Sequence, residues 1–444
     1  MTPFPDVLRA ADILRHGRRP LDPDETSSTQ AKRLAVIVAY ARKNVPYYRR
    51  LFDGAGPGSS HIQTLDDMGK IPVTTKLELK AAPIEDILSA EFCSDDLFVF
   101  MTSGATGVPL AIFQSRSENF LLHLVKLRTL RVLGLRWRDR MIKVRNRAYT
   151  RHPAAWEALQ SLGWLRQETV DPGTPEEVAA ALRGKRADVL MGYTGTLARI
   201  AQIFAGEPDG TLRPRFLVGG SETMTPFLRS EIQKGFKAPV LDTYICQEAG
   251  MLAWECPFSG RYHVVDDTVV VEVLRDGVPC RPGEEGEVVV TSLVCRAMPI
   301  IRYRLDDRVR LAPGDCPCGR RGLALDRVLG KTQDYFWLPD GREFNPWNLS
   351  GLWMGRAPWI RQFEVVQETP GSVIIRIVPA GTPPPEEVEA LAGESRGILG
   401  PGVGFRVEFV PEIKPSPGGK YRVHRSLVRS IYDNPRDREW LGPS

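Results

Sequence analysis

The sequence predicts an α/β chain. A large N-terminal domain of mostly parallel sheets flanked by helices, with a β-barrel-like subdomain, precedes a small α+β C-terminal domain. Three observations predict it. First, short apolar runs alternate with helical segments from Met141 to Tyr244, the rhythm of strand–helix–strand crossovers. Second, from Val269 apolar runs are separated by turn residues with no helix between them. Third, composition shifts near Gly330 to a Trp- and Gly-rich stretch, after which three strand-like runs flank one helix. At 444 residues the chain exceeds what one core serves. The expected domains are residues 1–330, with the β-rich part over about 265–330, and residues 331–444.

In chain order, Leu34, Ile37, Val38 and Ala41 carry helical spacing within Thr29 to Asn44, and Pro46 stops that helix. Gly54 to Ser60 reads as loop. Ile71 to Lys76 reads as a short extended piece, with Thr74 or Thr75 capping a helix through Lys80. Ser115 and Glu118 make a capping box for a helix running to about Gly134. Strands are expected at Met141–Val144, Glu168–Val170, Val189–Met191, Phe216–Val218 and Val240–Tyr244. Helices are expected at Ala154–Leu162, Pro175–Leu182, Leu197–Phe204 and Met224–Lys234. Further strands are expected at Val269–Leu274 and Glu287–Ser292, and then Arg361–Val366, Val373–Val378 and Phe405–Val410 around a helix from Pro385 to Ala392.

Hydrophobic content of 42% and charged content of 25% are those of a globular protein. The net charge of +5 is mild, and the basic residues are scattered without interleaved aromatics, so no nucleic-acid partner is expected. No apolar run is long enough to span a membrane, and Met1 to Pro20 has no apolar signal core. A cytoplasmic location is therefore expected. The seven cysteines, an odd number, argue against a disulfide framework.

Five stretches carry chemistry. Met101-Thr102-Ser103-Gly104-Ala105-Thr106-Gly107-Val108-Pro109 combines glycines that free the backbone N–H groups with hydroxyl donors, so it could close on phosphate oxygens. It lacks a Walker lysine and a strand follows it; read alone, such a loop is more often a turn. Val218-Gly219-Gly220-Ser221-Glu222 lies at the carboxyl edge of the expected sheet, where ligands of open α/β sheets bind; a plain strand-to-helix turn is the alternative. In Asp242-Thr243-Tyr244-Ile245-Cys246-Gln247-Glu248 a glutamate could hold Mg²⁺ and a tyrosine could stack on a base. In Ile300 to Asp307 a carboxylate could accept ribose hydroxyls, against a reading as surface charge alternation. In Pro415 to Arg422 a Pro/Gly loop presents Lys420, whose compact charge could offset charge on a carboxylate or phosphate.

Taken in this order, the stretches resemble the adenylate-forming ligases, and most of all their phenylacetate-CoA ligase branch. Ala41-Arg42, Pro46-Tyr47-Tyr48-Arg49, Ile71-Pro72-Val73-Thr74-Thr75-Lys76, Ala297-Met298-Pro299-Ile300-Ile301-Arg302-Tyr303-Arg304 and Gly418-Gly419-Lys420 extend the resemblance over nearly the whole chain. The resemblance implies ATP-dependent activation of a carboxylic acid, by the same branch an aromatic one, to an acyl-adenylate and transfer to CoA. It implies Thr102, Ser103, Gly104, Thr106 and Gly107 on the β- and γ-phosphates, Ser221 and Glu222 beside the adenine, and Tyr244 near base or substrate. It implies Asp307 on the ribose, Mg²⁺ on Glu248, Lys331 at the interdomain hinge, and Lys420 between carboxylate and α-phosphate; Lys420 and Glu248 are the catalytic pair. The acid pocket is expected to draw on Tyr193, Gly219, Tyr244 and Gly250. Ala105, Gln247 and Gln333 depart from the family pattern. Two other outcomes stay open: an adenylating enzyme that serves an acyl carrier protein or an amine or transfers the nucleotide itself, and a nucleotide-binding homologue without catalysis. The acid, the acceptor and the oligomeric state are not read from the sequence.

Cys316-Pro317-Cys318-Gly319 is a Cys-x-Cys turn, and Cys256 and His263 stand close together upstream. Three thiolates and an imidazole suit structural Zn²⁺, and the ligase branch is similar at these positions; free buried thiols are the alternative.

Overall fold

The computed structural model describes residues 23–428 apart from residues 57, 60, 103–109, 146–159, 172–173, 207–211, 332–334, 345, 358 and 415–421. Ser103 to Gly107, Gln333 and Lys420 lie outside the described residues, as does most of the helix expected at Ala154–Leu162.

The described chain divides into two compact units, Met1–Met224 with Glu231–Leu329, and Gly330–Ser444 with Thr225–Ser230. The first is α/β, built on one twelve-stranded sheet. Its strands β3 (Arg140–Val144), β4 (Arg166–Val170), β5 (Val189–Gly192), β6 (Phe216–Gly220) and β7 (Val240–Cys246) pair in parallel in the order β4-β3-β5-β6-β7. Helices Pro175–Leu182, Thr194–Ala205 and Pro226–Phe236 connect them. The sheet then continues antiparallel: β7 pairs with β8 (Gly250–Glu255), and β8 with β9 (Tyr262–Val264). Next come β14 (Ala324–Lys331), β13 (Tyr303–Leu311), β12 (Glu285–Ser292), β10 (Val269–Arg275) and β11 (Val278–Pro279). The β-rich segment is thus hydrogen-bonded into the same sheet as the parallel strands. A separate hairpin joins β1 (Phe98–Met101) to β2 (Ala111–Gln114).

Local sequence explains the helix starts. Thr75, Ser115 and Thr174 each accept the N3 backbone N–H while the N3 glutamate reaches back; the capping box at Ser115 is the one expected from the sequence, and of Thr74 and Thr75 it is Thr75 that caps its helix. Pro46 does more than stop the first helix, Pro23–Asn44. It occupies the first turn of a second, Pro46–Ala55, where its missing N–H costs nothing. Glu118 is buried, and its carboxylate also accepts the Ala297 and Arg296 N–H groups, tying the helix Arg116–Val132 to that distant segment. No described helix is long and apolar enough to cross a membrane.

The second unit opens with a short hairpin of β15 (Phe336–Trp337) and β16 (Glu343–Phe344). Its main sheet carries β17 (Ile360–Thr369), β18 (Ser372–Pro379), β19 (Gly404–Phe409) and β20 (His424–Ser426) in the order β19-β18-β17-β20. Helices Trp347–Arg356 and Pro385–Leu399 share its core through Leu349, Trp353, Leu391 and Leu399, and Trp353 Nε1 donates to Ser395 Oγ at 2.9 Å. His424 is buried on β20, with Nε2 2.6 Å from Ser350 Oγ. Burial, with the charge of Arg422 adding, holds its imidazole down to about 3. The folded value lies below the ordinary value of about 6.5, so the unfolded chain takes up the proton first. This contribution to stability is complete above about pH 6.5 and is lost as pH falls toward 3. The protection factors of the β17 and β18 amides, that is, their exchange rates corrected for the intrinsic rate at each pH, should therefore fall between about pH 6.5 and 4. An H424Q variant should flatten that dependence; an unchanged slope would remove His424 as its source.

Candidate active site

The carboxyl ends of the parallel strands come together around β6. Its last residues, Gly219 and Gly220, are glycine because the neighbours crowd them. A Cβ on Gly219 would lie 2.6 Å from Met224 Cε and 3.0 Å from Thr194 Oγ1, and one on Gly220 2.8 Å from Thr243 Oγ1. Thr243 Oγ1 donates to the Gly219 carbonyl at 2.8 Å. Ser221 follows with φ +65°, the left-handed conformation that turns the chain off the strand end. Glu222 then reaches across to accept the Gly195 N–H at 2.5 Å, at the start of the helix Thr194–Ala205. A carboxylate suits that positive helix end, and the contact joins Ser221-Glu222 to the Tyr193–Gly195 segment. Thr194 Oγ1 is buried without a hydrogen-bond partner among the described residues.

Glu248 sits in the tight β7–β8 hairpin, between the paired residues Cys246 and Gly250. It is buried, 3.5 Å from the Tyr303 hydroxyl, and Gln114 on β2 donates to the Gln247 carbonyl at 3.4 Å. Gly250 has φ +80°, and a Cβ there would lie 2.9 Å from Leu122 Cδ2. Two steps aim Asp307 at this hairpin. A bulge between β12 and β13 leaves Glu287 opposite Arg308 but Val289 opposite Arg304, and Asp306 takes φ +57° within it. Asp307 is thereby buried, accepting the Tyr244 hydroxyl at 2.7 Å. Burial first, then the Asp307 charge and hydrogen bond, raise the Tyr244 phenol well above its ordinary value, so it stays a donor.

The hydroxyl loop is described only at its neck. The Thr102 N–H donates to the Leu110 carbonyl, and the Leu110 N–H donates to Thr102 Oγ1, both at 2.9 Å. Thr102 therefore closes the loop with one lone pair and keeps its O–H for donation. Leu110, Ile112 and Phe113 share a core with Tyr244, Ala249 and Tyr303, which places the neck and the Glu248 hairpin on one apolar base. Lys331 ends β14.

Sequence reasoning named Tyr244 and Asp307 separately but did not pair them, because their contact depends on the β13 bulge. It also missed Lys143, a cation within the apolar run Met141–Val144, which is buried on β3.

A second cluster lies in the same unit. Cys256 follows β8, His263 is on β9, and Cys316 and Cys318 are in the β13–β14 connection; the β8–β9 and β9–β14 pairings bring the three segments together. Their ligand atoms all lie within 4.8 Å of one another. Cys316 Sγ is 3.8 Å from Cys256 Sγ, and Cys318 Sγ is 3.2 Å from His263 Nε2. Burial, then the charge of Arg320, holds the His263 imidazole down to about 4, in its neutral form.

No protein-family profile matches the chain. It is 29% identical over 340 residues to the phenylacetate-coenzyme A ligase of Escherichia coli strain K12, covering 71% of this chain and 74% of that protein. It is 26% identical over 328 residues to the phenylacetate-coenzyme A ligase of Thermus thermophilus, covering 70% of this chain and 71% of that one. The fold matches that of a 2-hydroxyisobutyryl-CoA ligase solved in the postadenylation state with R3-HIB-AMP. There the TM-score is 0.75 at 20% identity, over 95% of this chain and 92% of that one.

Proposed function

We infer that this member of the adenylate-forming acyl-CoA ligase family activates a carboxylic acid with ATP and passes the acyl group to CoA. The observation that carries the reading is the Tyr244–Asp307 pair buried beside the Glu248 hairpin, in a chain 29% identical over 340 residues to a phenylacetate-coenzyme A ligase. A carboxylate oxygen of the acid attacks the α-phosphorus of ATP, the bond to the β-phosphate oxygen breaks, and pyrophosphate leaves. The CoA thiol then attacks the acyl carbon, AMP leaves, and the thiol proton is released. The reaction needs positioning and charge compensation more than covalent help from the protein.

In this reading Asp307 accepts the ribose hydroxyls while Tyr244 holds its carboxylate in place. Glu222 and Ser221 border the adenine, and Thr102 to Gly107 border the terminal phosphates. Lys420 places its ammonium between the carboxylate and the α-phosphate. Tyr193, Gly219, Tyr244 and Gly250 line the acid, an aromatic one as the names of the relatives suggest. Glu248 would hold Mg²⁺, which supplies positive charge against the phosphates when bound; one buried carboxylate plus substrate oxygens is an ordinary Mg²⁺ set. Residues 331–444 act as a small mobile domain turning at Lys331, and 265–330 as the barrel-like subdomain. The cytoplasm supplies its ATP and CoA.

Cys256, His263, Cys316 and Cys318 would hold a structural Zn²⁺. A tetrahedron with Zn–S distances of about 2.3 Å has sulfur–sulfur edges of about 3.8 Å. The Cys256–Cys316 separation is 3.8 Å. Four protein ligands leave no open position, so the role is structural.

Acid-dependent exchange of pyrophosphate into ATP tests the first step, and CoA-dependent formation of AMP and thioester tests the second. Exchange with aromatic acids and thioester by mass spectrometry are the expected results. No exchange across a broad acid panel would sink the ligase reading; exchange without thioester would move the acceptor elsewhere.

A further inference from the structure

Two oxygens converge on one point at the carboxyl end of β6. Gly219 stands in register with Asp242 on β7, and Gly192 lies beside it at the end of β5, so the three share one face of the sheet. A Cβ on Gly192 would lie 3.2 Å from Leu197 Cδ2, which puts this face beneath the helix Thr194–Ala205. The place a Cβ on Gly219 would take lies 3.0 Å from Thr194 Oγ1 and 3.6 Å from Asp242 Oδ1. Its third neighbour is Met224 Cε at 2.6 Å, the free end of a flexible, half-buried side chain. Thr194 is 0% exposed, and its hydroxyl has no hydrogen-bond partner among the described residues. Asp242 is buried, and the Tyr262 hydroxyl donates to its Oδ2 at 2.6 Å, which fixes the carboxylate with Oδ1 toward Gly219.

A hydroxyl taken out of water without a partner is costly, and a valine would fill the same volume without that cost. Tyr193, not Thr194, is the residue before the first helical turn, so helix capping does not account for the threonine. The three residues around the point also belong with the acid: Gly219 is assigned to it, Thr194 follows Tyr193, and Asp242 precedes Tyr244 by two on the same face of β7. We propose that Thr194 and Asp242 hold a hydrogen-bond-donating substituent, a hydroxyl or an amino group, on the acid that the enzyme activates. Resting on the ligase reading, this deepens it by naming the substrate class: an acid with a protic group apart from its carboxylate. A hydroxyl accepts from Thr194 and donates to Asp242, and an amino group donates to both. The missing side chain at Gly219 leaves the substituent its place, and Met224 turns aside to admit it.

The test compares, in pyrophosphate exchange without CoA, the hydroxy, amino and methyl ring isomers of phenylacetate, and 6-hydroxyhexanoate against heptanoate. The methyl compounds match the substituents in size, so they separate hydrogen bonding from fit. The wild-type chain should prefer one hydroxy or amino acid over its methyl counterpart by about ten- to a hundredfold in kcat/KM, the range for one or two buried hydrogen bonds. Which of the two wins tells an alcohol or phenol from an amine. A T194V variant keeps the shape, should fold at least as stably, and should lose most of that preference; T194S, which keeps the hydroxyl, should retain it. Calorimetric titration with the same acids reads the site even without turnover, and the preferred acid should bind the wild type and T194S more tightly than T194V. Equal use and equal binding of each protic acid and its methyl counterpart by the wild type would overturn the proposal while leaving the ligase reading intact. A folded T194V with the full preference would overturn it too. Absence of exchange with every acid would sink the ligase reading, and the titrations would still decide the role of Thr194.

Discussion

A Lys420→Ala chain should lose acid-dependent pyrophosphate exchange by roughly 10²–10³-fold, the usual cost of removing one preorganised group that stabilises developing charge. Both flanks of the segment carrying Lys420 are tied to β17. Gln362 on β17 donates to the Ile413 carbonyl at 3.2 Å, and the Val365 N–H donates to the Val423 carbonyl at 2.7 Å. Beyond it, His424 is locked on Ser350. The described residues on both sides of this segment, Ile413 and Val423, are thus hydrogen-bonded to one strand. The loss should fall on kcat, with ATP affinity little changed, because the groups assigned to the nucleotide's ribose and base remain. Lys420→Arg should rescue poorly, since a planar guanidinium does not replace a compact ammonium between two oxygens. Exchange at more than half the wild-type rate in Lys420→Ala would remove Lys420 from the chemistry.

Metal analysis should find about one zinc per chain, as a four-ligand structural site requires. Stripping the metal, or substituting Cys318→Ala, should lower stability by several kcal/mol and the melting temperature by on the order of 10 °C. The site joins the β8–β9 hairpin to the β13–β14 connection, and without metal its sulfurs lose the bonds that hold the three segments together. Ser259 Oγ lies 3.0 Å from Cys316 Sγ, a hydroxyl placed to donate to a thiolate. The N-terminal unit should respond more strongly than β17 and β18, which hydrogen exchange resolves. A metal-free protein with an unchanged melting temperature, indifferent to chelators, would refute the assignment.

The parallel half of the fold was legible because each strand is a short apolar run bounded by a helix start, as at Thr174-Pro175 and Val189–Met191. The antiparallel half was read less well. β13 alternates Arg304, Asp306, Arg308 and Arg310 with buried residues, so half its length looks like solvated charge. β8, β9 and β14 adjoin the cysteine cluster and were absorbed into it, and glycines with tryptophans obscured the helix Trp347–Arg356. At the site, residue types showed in the sequence while partnerships did not. Asp307 owes its direction to a bulge and Glu222 its place to a helix end.

The Glu248 hairpin differs from its neighbours in what it lets the lineage change. After β3, β4, β5 and β6 the chain departs through connections that can lengthen, shorten or be re-sequenced without moving the strand ends. Between β7 and β8 there is no such slack: one inserted residue breaks the Cys246–Gly250 pairing and carries the glutamate away. Length changes in the connections after β3, β4 and β5 should therefore be tolerated more readily than an insertion between β7 and β8.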